Sequence, residues 1–130
     1  MLRTSVAGLL LALGIAPTAS AGQVPLPEVP VSPGTEFVDD PAILDAHPLT
    51  AESWSRLDPE PELALNFQVG PPACYGVHAT VHETDEAVLV SLTTGGRNPG
   101  PTVCTMIIMQ GKIIVPLANP VGERTVLVAE

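Results

Sequence analysis

The sequence predicts an all-β fold, a small antiparallel sandwich or partly open barrel crosslinked by one disulfide, on three observations. Apolar and polar residues alternate with a period of two in several short runs of residues 63–130, as in strands with one buried face. Brief segments rich in glycine and proline separate these runs. Two cysteines, Cys74 and Cys104, lie in the same region and are the only thiols of the chain.

Six short strands with brief connections are expected in this β domain, which is typical of a sandwich or barrel. Three of them show clear alternation of apolar and polar residues and cover residues 63–69, 75–82 and 88–92. A fourth run, residues 103–109, is apolar on both faces, as expected of a central strand covered on both sides. Gln110 and Gly111 are expected to form a tight reversal. The last two strands are expected at residues 113–117 and 125–128.

The first 21 residues have a charged segment, an apolar segment and a segment of small residues, in the order found in a secretory signal peptide. Arg3 supplies positive charge, residues 6–16 form an uncharged run rich in Leu and Ala, and cleavage is expected after Ala21. This run of 11 residues is short for a membrane anchor, because a spanning helix needs about 20. We therefore expect residues 1–21 to be removed, no membrane span in the mature chain, and a secreted, extracellular protein.

An acidic, proline-rich tail, residues 22–62, is expected between the signal peptide and the β domain. It holds eight prolines, nine acids and one base, so its net charge is −8. Proline at this density favours extended chain with few hydrogen bonds. One or two short helical turns are expected, at residues 40–44 and 50–57, because Asp40 and Thr50 are suitable N-caps. The tail either packs on its own domain or folds onto a partner.

The charge balance excludes two classes of partner. The chain has 5 Lys and Arg against 14 Asp and Glu, a net charge of −9. Loss of Arg3 with the signal peptide would make it 4 − 14 = −10. Because this small number of cations cannot neutralise a row of phosphates, we expect no nucleic-acid partner. Attraction to an anionic lipid surface is excluded for the same reason.

In an exported chain, Cys74 and Cys104 are expected to form a disulfide. Closing the loop between them would contribute about 3–4 kcal/mol by the loop-entropy model, comparable with the net stability of so small a core. The second and fourth strands of a flat meander lie about 9–10 Å apart, whereas a disulfide needs Cα atoms within about 7 Å. Either the sheet folds over so that the cysteines face across a core, or Cys74 sits on a curled loop.

No catalytic residue, metal site or cofactor is predicted. His78 and His82 would share one face of a strand but lie about 13 Å apart, too far to bind one ion. Ser91 lacks the glycine-rich elbow that surrounds a hydrolase nucleophile. Asp85 and Glu86 are expected to be solvated acids of a turn.

The loop of residues 94–101 is a possible recognition loop. It contains glycines and prolines, lies close to Cys104, and carries Arg97 and Asn98 on an otherwise acidic protein. A proline-stiffened loop anchored by a disulfide is preorganised for binding. One use would be a protease-inhibitor loop with Arg97 in the specificity pocket, and the other interpretation is an ordinary connection between strands.

Three segments of the chain carry a family resemblance. They are residues 74–92 (CYGVHATVHETDEAVLVSL), Cys104-Thr105, and residues 115–126 (VPLANPVGERTV) with a Pro-x-Gly-x-Arg turn. Over residues 63–130 the chain resembles small uncharacterised exported proteins and lipoproteins of high-GC Gram-positive bacteria, although it lacks the lipobox cysteine of the lipoprotein members. The resemblance implies export and a two-cysteine β domain, and no activity.

The sequence thus favours a secreted, non-catalytic β domain that binds an unknown protein or small ligand in or outside the cell envelope. A secreted protease inhibitor acting through the loop around Arg97 is one alternative. A secreted hydrolase of unknown substrate is the other.

Overall fold

The computed structural model describes residues 22–129, which form two packed β-sheets without any helix. The all-β prediction is confirmed, and the packing is that of a sandwich rather than a closed barrel. Residues 22–129 contain no helix that could cross a membrane. The predicted signal peptide, residues 1–21, lies outside the described residues. In chain order the strands are β1 (Gln23–Pro25), β2 (Thr35–Phe37), β3 (Leu44–Leu49), β4 (Ser53–Arg56), β5 (Glu62–Val69), β6 (Tyr75–Glu83), β7 (Ala87–Gly96), β8 (Met109–Pro116) and β9 (Thr125–Ala129).

Strand β7 is the centre of the first sheet, which comprises β1, β3, β6, β7 and β9. One edge of β7 pairs antiparallel with the whole of β6, from Tyr75 opposite Gly96 to Glu83 opposite Val88. The other edge is shared by two strands. Strand β9 runs parallel to the first part of β7, and β3 runs antiparallel to the last part. Strand β1 extends the sheet beyond β9.

The second sheet has the strand order β2-β8-β5-β4. Strands β5 and β8 pair antiparallel over eight residues, and β2 pairs with β8 in parallel. The inward-facing residues of both sheets alternate with outward-facing ones and build one core. Its aromatic contact joins the rings of Phe37 and Phe67 edge to face, with centroids 5.5 Å apart. Other fully buried side chains are Leu63, Leu65, Ile113, Val77, Val88, Val90, Val121 and Val126.

Residues 22–62 lie in the same two sheets as the rest of the chain, and the two predicted helical turns are wrong. Asp40 Oδ1 accepts a hydrogen bond from the N–H of Ala42 at 3.0 Å, after which the chain enters β3 instead of a helix. The second predicted turn contains β4, which pairs with β5 and buries Trp54. A capping residue acts locally, and pairing with a long neighbouring strand outweighs local helix propensity.

A strap formed by residues 28–34 crosses the outer face of the second sheet. At one edge of the sheet the N–H of Val29 donates to the carbonyl of Trp54 at 2.8 Å. Further along, Ser55 Oγ donates to the carbonyl of Pro30 at 3.1 Å, and Lys112 Nζ donates to the carbonyl of Ser32 at 2.7 Å. The strap therefore runs from the β4 edge to the β8 edge and covers polar side chains of the outer face.

The fourth predicted strand is also wrong: residues 103–108 are irregular and, apart from the half-buried Cys104, exposed, and β8 begins only at Met109. Met109 pairs with Val69, the last residue of β5, and the next residues of the chain are Gly70 and Pro71. Residues 103–108 consequently have no strand to pair with, although their apolar composition suggested a central strand. Gln110 and the buried Gly111 lie within β8 instead of forming a reversal.

Glycine is needed in β8 at position 111 because two aromatic rings pack directly over it. A Cβ atom there would lie 2.7 Å from the ring of Phe67 and 2.8 Å from the ring of Phe37. Both distances are too short for a side chain without displacement of the rings. Gly111 thus serves the core rather than a turn.

Arg124 fixes the connection between β8 and β9 to the hairpin of β6 and β7. Its guanidinium donates to the carboxylate of Glu83 at 3.1 Å and to the carbonyls of Asn119 and Pro120, both at 2.9 Å. The carboxylate also accepts the N–H of Ala118 at 2.7 Å. The bond from Ala118 and then the guanidinium hold the pKa of Glu83 below its ordinary value.

We expect Glu83→Gln to lower the free energy of unfolding by about 1 kcal/mol at pH 7, because the variant loses the charge-assisted bonds. A carboxyl with a lowered pKa stabilises the fold above its unfolded pKa and loses that contribution as the pH falls. The difference between variant and parent should therefore shrink between about pH 5 and pH 3. Urea unfolding at several pH values measures it. Glu86→Gln, at an exposed acid of the same hairpin, is the control, and an equal loss there would contradict the assignment.

Candidate functional site

The largest exposed apolar feature of the described chain is an apolar loop, defined as residues 103–108. Val103 is 85% exposed, Met106 93% and Ile108 70%. Folded monomers rarely leave neighbouring large apolar side chains in water, and such patches mark binding surfaces. This loop is therefore the candidate site.

The disulfide between Cys74 and Cys104 anchors the apolar loop near its start. The two Cα atoms are 6.0 Å apart, which confirms the predicted pairing. Cys74 lies in a turn before β6, so the second of the two expected arrangements, a cysteine on a curled loop, is the one found. The crosslink attaches a segment without strand partners to the end of the first sheet, which restricts the conformations the loop can adopt.

A groove of about 390 Å³ lies between the apolar loop and the two sheets. Leu49 and Thr94 contribute from the first sheet, Val69 from the second, and Ile107 from the loop itself. Tyr75, at the start of β6, lines the groove as well. The exposed loop thus borders a concave apolar surface, and together they offer both protruding and receiving apolar contacts.

The acidic residues are unevenly distributed along the sequence. No Asp or Glu occurs between Ala87 and Gly122, although the chain has 14 of them. The same stretch carries Arg97 and Lys112. The apolar loop therefore belongs to a segment without acids in a strongly acidic protein.

Arg97, in the possible recognition loop, is hydrogen-bonded to its own chain, and its side chain is 32% exposed. Its Nε donates to the carbonyl of Pro72 at 2.9 Å, and Nη1 lies 3.3 Å from the carboxylate of Asp40. Its backbone N–H donates to the carbonyl of Cys74 at 3.0 Å. Asn98, the other residue of the predicted loop, is exposed. An inhibitor loop must insert its arginine into a protease, and this arginine is engaged with its own chain.

The histidines are separated by the structure. Nδ1 of His78 lies 3.0 Å from Oδ1 of Asp39, whereas His82 is exposed further along β6. The described residues include no group of three His, Cys, Asp or Glu side chains that could hold a metal ion. Ser91, on the outer face of β7, shares a hydrogen bond with the hydroxyl of Thr80.

A second groove, of about 650 Å³, lies where β7 changes neighbour from β9 to β3. Its walls come from β1, β3, β7 and β9 and are mainly apolar. Residues lining it include Val24, Leu26, Leu49, Leu92 and Val128. Its volume is in the range of small-molecule sites, but few polar groups line it to orient a ligand.

The sequence predicts that the residues of the apolar loop form a buried strand, whereas the structure exposes most of them. Their apolar character pointed to burial, and it could not show that β5 ends opposite Met109. One feature of the sequence does indicate a loop here. Gly100 and Pro101 come only a few residues before Cys104, so the apolar run directly follows a segment typical of irregular structure. Comparison with protein-family models, with curated proteins and with solved structures gives no match to this chain.

We expect Arg97→Ala to destabilise the fold by about 1–2 kcal/mol, because two charge-assisted bonds of a half-buried guanidinium are lost. Arg97→Lys should recover only part of this, since an ammonium cannot reach Pro72 and Asp40 with the same planar geometry. Urea unfolding measures both, and Asn98→Ala in the same loop is the control with little expected change.

The unmodified protein should leave trypsin activity unchanged. Inhibition of trypsin that disappears in Arg97→Ala, with stability intact, would contradict this role.

Proposed function

We propose that this chain is a secreted, non-catalytic binding module that attaches to a protein partner through the apolar loop. The observation that carries the proposal is the exposure of Val103, Met106 and Ile108 on a segment tied by a disulfide. Export is part of the proposal. It rests on the signal-like order of residues 1–21 and on the disulfide, which persists in oxidising compartments.

The shape of the site favours a protein as partner. An interface core is apolar and depleted of charge, with methionine among the enriched residues. The apolar loop meets that description, and the groove beside it can receive a side chain of the partner. Anchoring by Cys104 reduces the conformational freedom that binding would remove.

The distribution of charge also favours the apolar loop as the binding surface. The net charge of −9 repels an acidic partner from most directions, whereas residues 87–122 contribute no acid. The apolar loop itself carries no carboxylate, so a partner that contacts residues 103–108 meets no acid on that segment. The same acidity makes an anionic membrane an unfavourable target.

We expect a photo-crosslinking side chain placed at the exposed Thr105 to form an adduct with a specific protein in a cell-envelope fraction. Met106→Asp and Ile108→Asp should each reduce that adduct about tenfold or more, because a charge would be buried in an apolar interface. Mass spectrometry identifies the adduct, and gel densitometry measures its yield. Both substituted side chains are largely exposed, so the fold should tolerate the change.

Val31→Asp is the matched control, since Val31 is also an exposed apolar residue, at 57%, but lies on the strap. The adduct should form at full yield in that variant. A complete absence of protein adducts, adducts with lipid alone, or a yield indifferent to Met106→Asp would each contradict the proposal.

A further inference from the structure

The outer edge of β6 has a defined set of outward backbone groups. Hydrogen bonds at both ends of the strand show which residues direct their backbone N–H and C=O groups toward β7. The N–H of Arg97 donates to the carbonyl of Cys74 at 3.0 Å, and the N–H of Thr84 donates to the carbonyl of Ala87 at 2.8 Å. In an antiparallel pair, alternate residues bond to the neighbour and the others point away. The even-numbered residues therefore bond to β7. The outward-directed residues are Tyr75, Val77, Ala79, Val81 and Glu83.

The first half of this outer edge is covered by the chain itself. The N–H of Asp40 donates to the carbonyl of Val77 at 2.9 Å, and Oδ1 of Asp39 accepts the N–H of Ala79 at 2.8 Å. Beyond that point, no bond within residues 22–129 engages either backbone group of Val81. The free edge thus consists of residues 79–83, with Val81 at its centre.

The other sheet edges of the described chain carry devices that prevent strand addition. Pro48 and a register shift interrupt β3. Glu28 pairs with the outer side of β4, Pro25 ends β1, and β2 has three residues. Prolines, bulges, short strands and covering segments are how proteins protect edges. Apart from the Asp39 side chain on the N–H of Ala79, residues 79–83 have no such protection, and this contrast favours them as a binding surface.

We propose that a second copy of this chain pairs with residues 79–83, antiparallel and edge to edge, with the two-fold axis beside Val81. The Val81 residues of the two copies would exchange both backbone bonds. Ala79 of each copy and Glu83 of the other would also exchange both bonds, with the exposed Asp39 side chain turned away from the N–H of Ala79. The side-chain neighbours across the axis are Val81 with Val81, Thr80 with His82, and Ala79 with Glu83. None of these pairs places two like charges together.

Two features on the strand favour a second copy. The side chain of Val81 lies on the core-facing side of β6 yet remains 37% exposed, and pairing would bring the two valines together. The carboxylate of Glu83 is bound to Arg124 and to the N–H of Ala118, so its charge is already paired within its own copy. The strand is therefore complementary to itself in its backbone groups, and the charge of Glu83 is already paired.

Such an interface is small and joins two acidic molecules, so we expect a weak dimer. Sedimentation velocity of the purified protein from about 10 μM to 1 mM should show a concentration-dependent monomer–dimer equilibrium. Salt should strengthen the dimer, because it screens the repulsion between the net charges of the two copies. Amide hydrogen exchange at Val81 and Glu83 should slow as concentration rises. Exchange at Ala79, whose N–H is already bonded to Asp39, should change little.

Val81→Pro removes the central outward donor, and an edge strand tolerates proline when its nitrogen points to solvent. We expect it and Val81→Lys to reduce dimerisation at least tenfold, with thermal unfolding showing that each variant folds. Val81→Thr, which keeps the donor, and Val31→Lys, which places a lysine elsewhere on the surface, should dimerise like the parent. A monomer throughout the concentration range would overturn the proposal. So would a dimer that survives Val81→Pro, or one abolished by Met106→Asp.

Discussion

The fold depends on one strand, β7, whose two edges hold three neighbours. Strand β6 occupies one edge completely, while β9 and β3 divide the other at the point between Val90 and Leu92. Two strands that approach from opposite directions cannot continue into one another, and the gap between them is the larger of the two apolar grooves. The same arrangement leaves the outer edge of β6 at the margin of the sheet, where Asp39 and Asp40 cover only its first half.

The sequence predicts correctly those strands in which apolar and polar residues alternate. Residues 63–69 match β5, residues 75–82 match most of β6, and residues 88–92 lie within β7. Alternation of apolar and polar residues is sufficient to predict these strands, because each has one face on the core and pairs with a long strand. The strands of residues 22–62 were missed for a physical reason. They are short and lie at edges. Except for β4, which pairs with the nearby β5, their pairing partners are distant in sequence, as when Phe37 aligns with Ile113.

The candidate site was outside the reach of sequence patterns for a related reason. A run such as residues 103–108 is apolar both in a central strand and in a binding loop. Only the register of β5 against β8, which ends at Val69 and Met109, decides between them. The disulfide could be predicted because two cysteines are expected to pair in a chain whose first residues predict export. The role of Arg97 could not, since Asp40 is far away in the chain and is brought to it by the pairing of residues 39–40 with Val77 and of β3 with β7.

The two proposed surfaces lie at opposite ends of β6, and this has a consequence for binding. The apolar loop borders Tyr75 at the start of the strand, whereas the free edge is centred on Val81. In an antiparallel dimer with its axis at Val81, the two Tyr75 residues would be separated by twelve residue steps, about 40 Å. Each copy would thus present its loop at a distance from the axis, with neither loop blocked by the other. A weak dimer would then bind a partner with repeated sites more tightly than one loop can, because the second contact forms within the same complex.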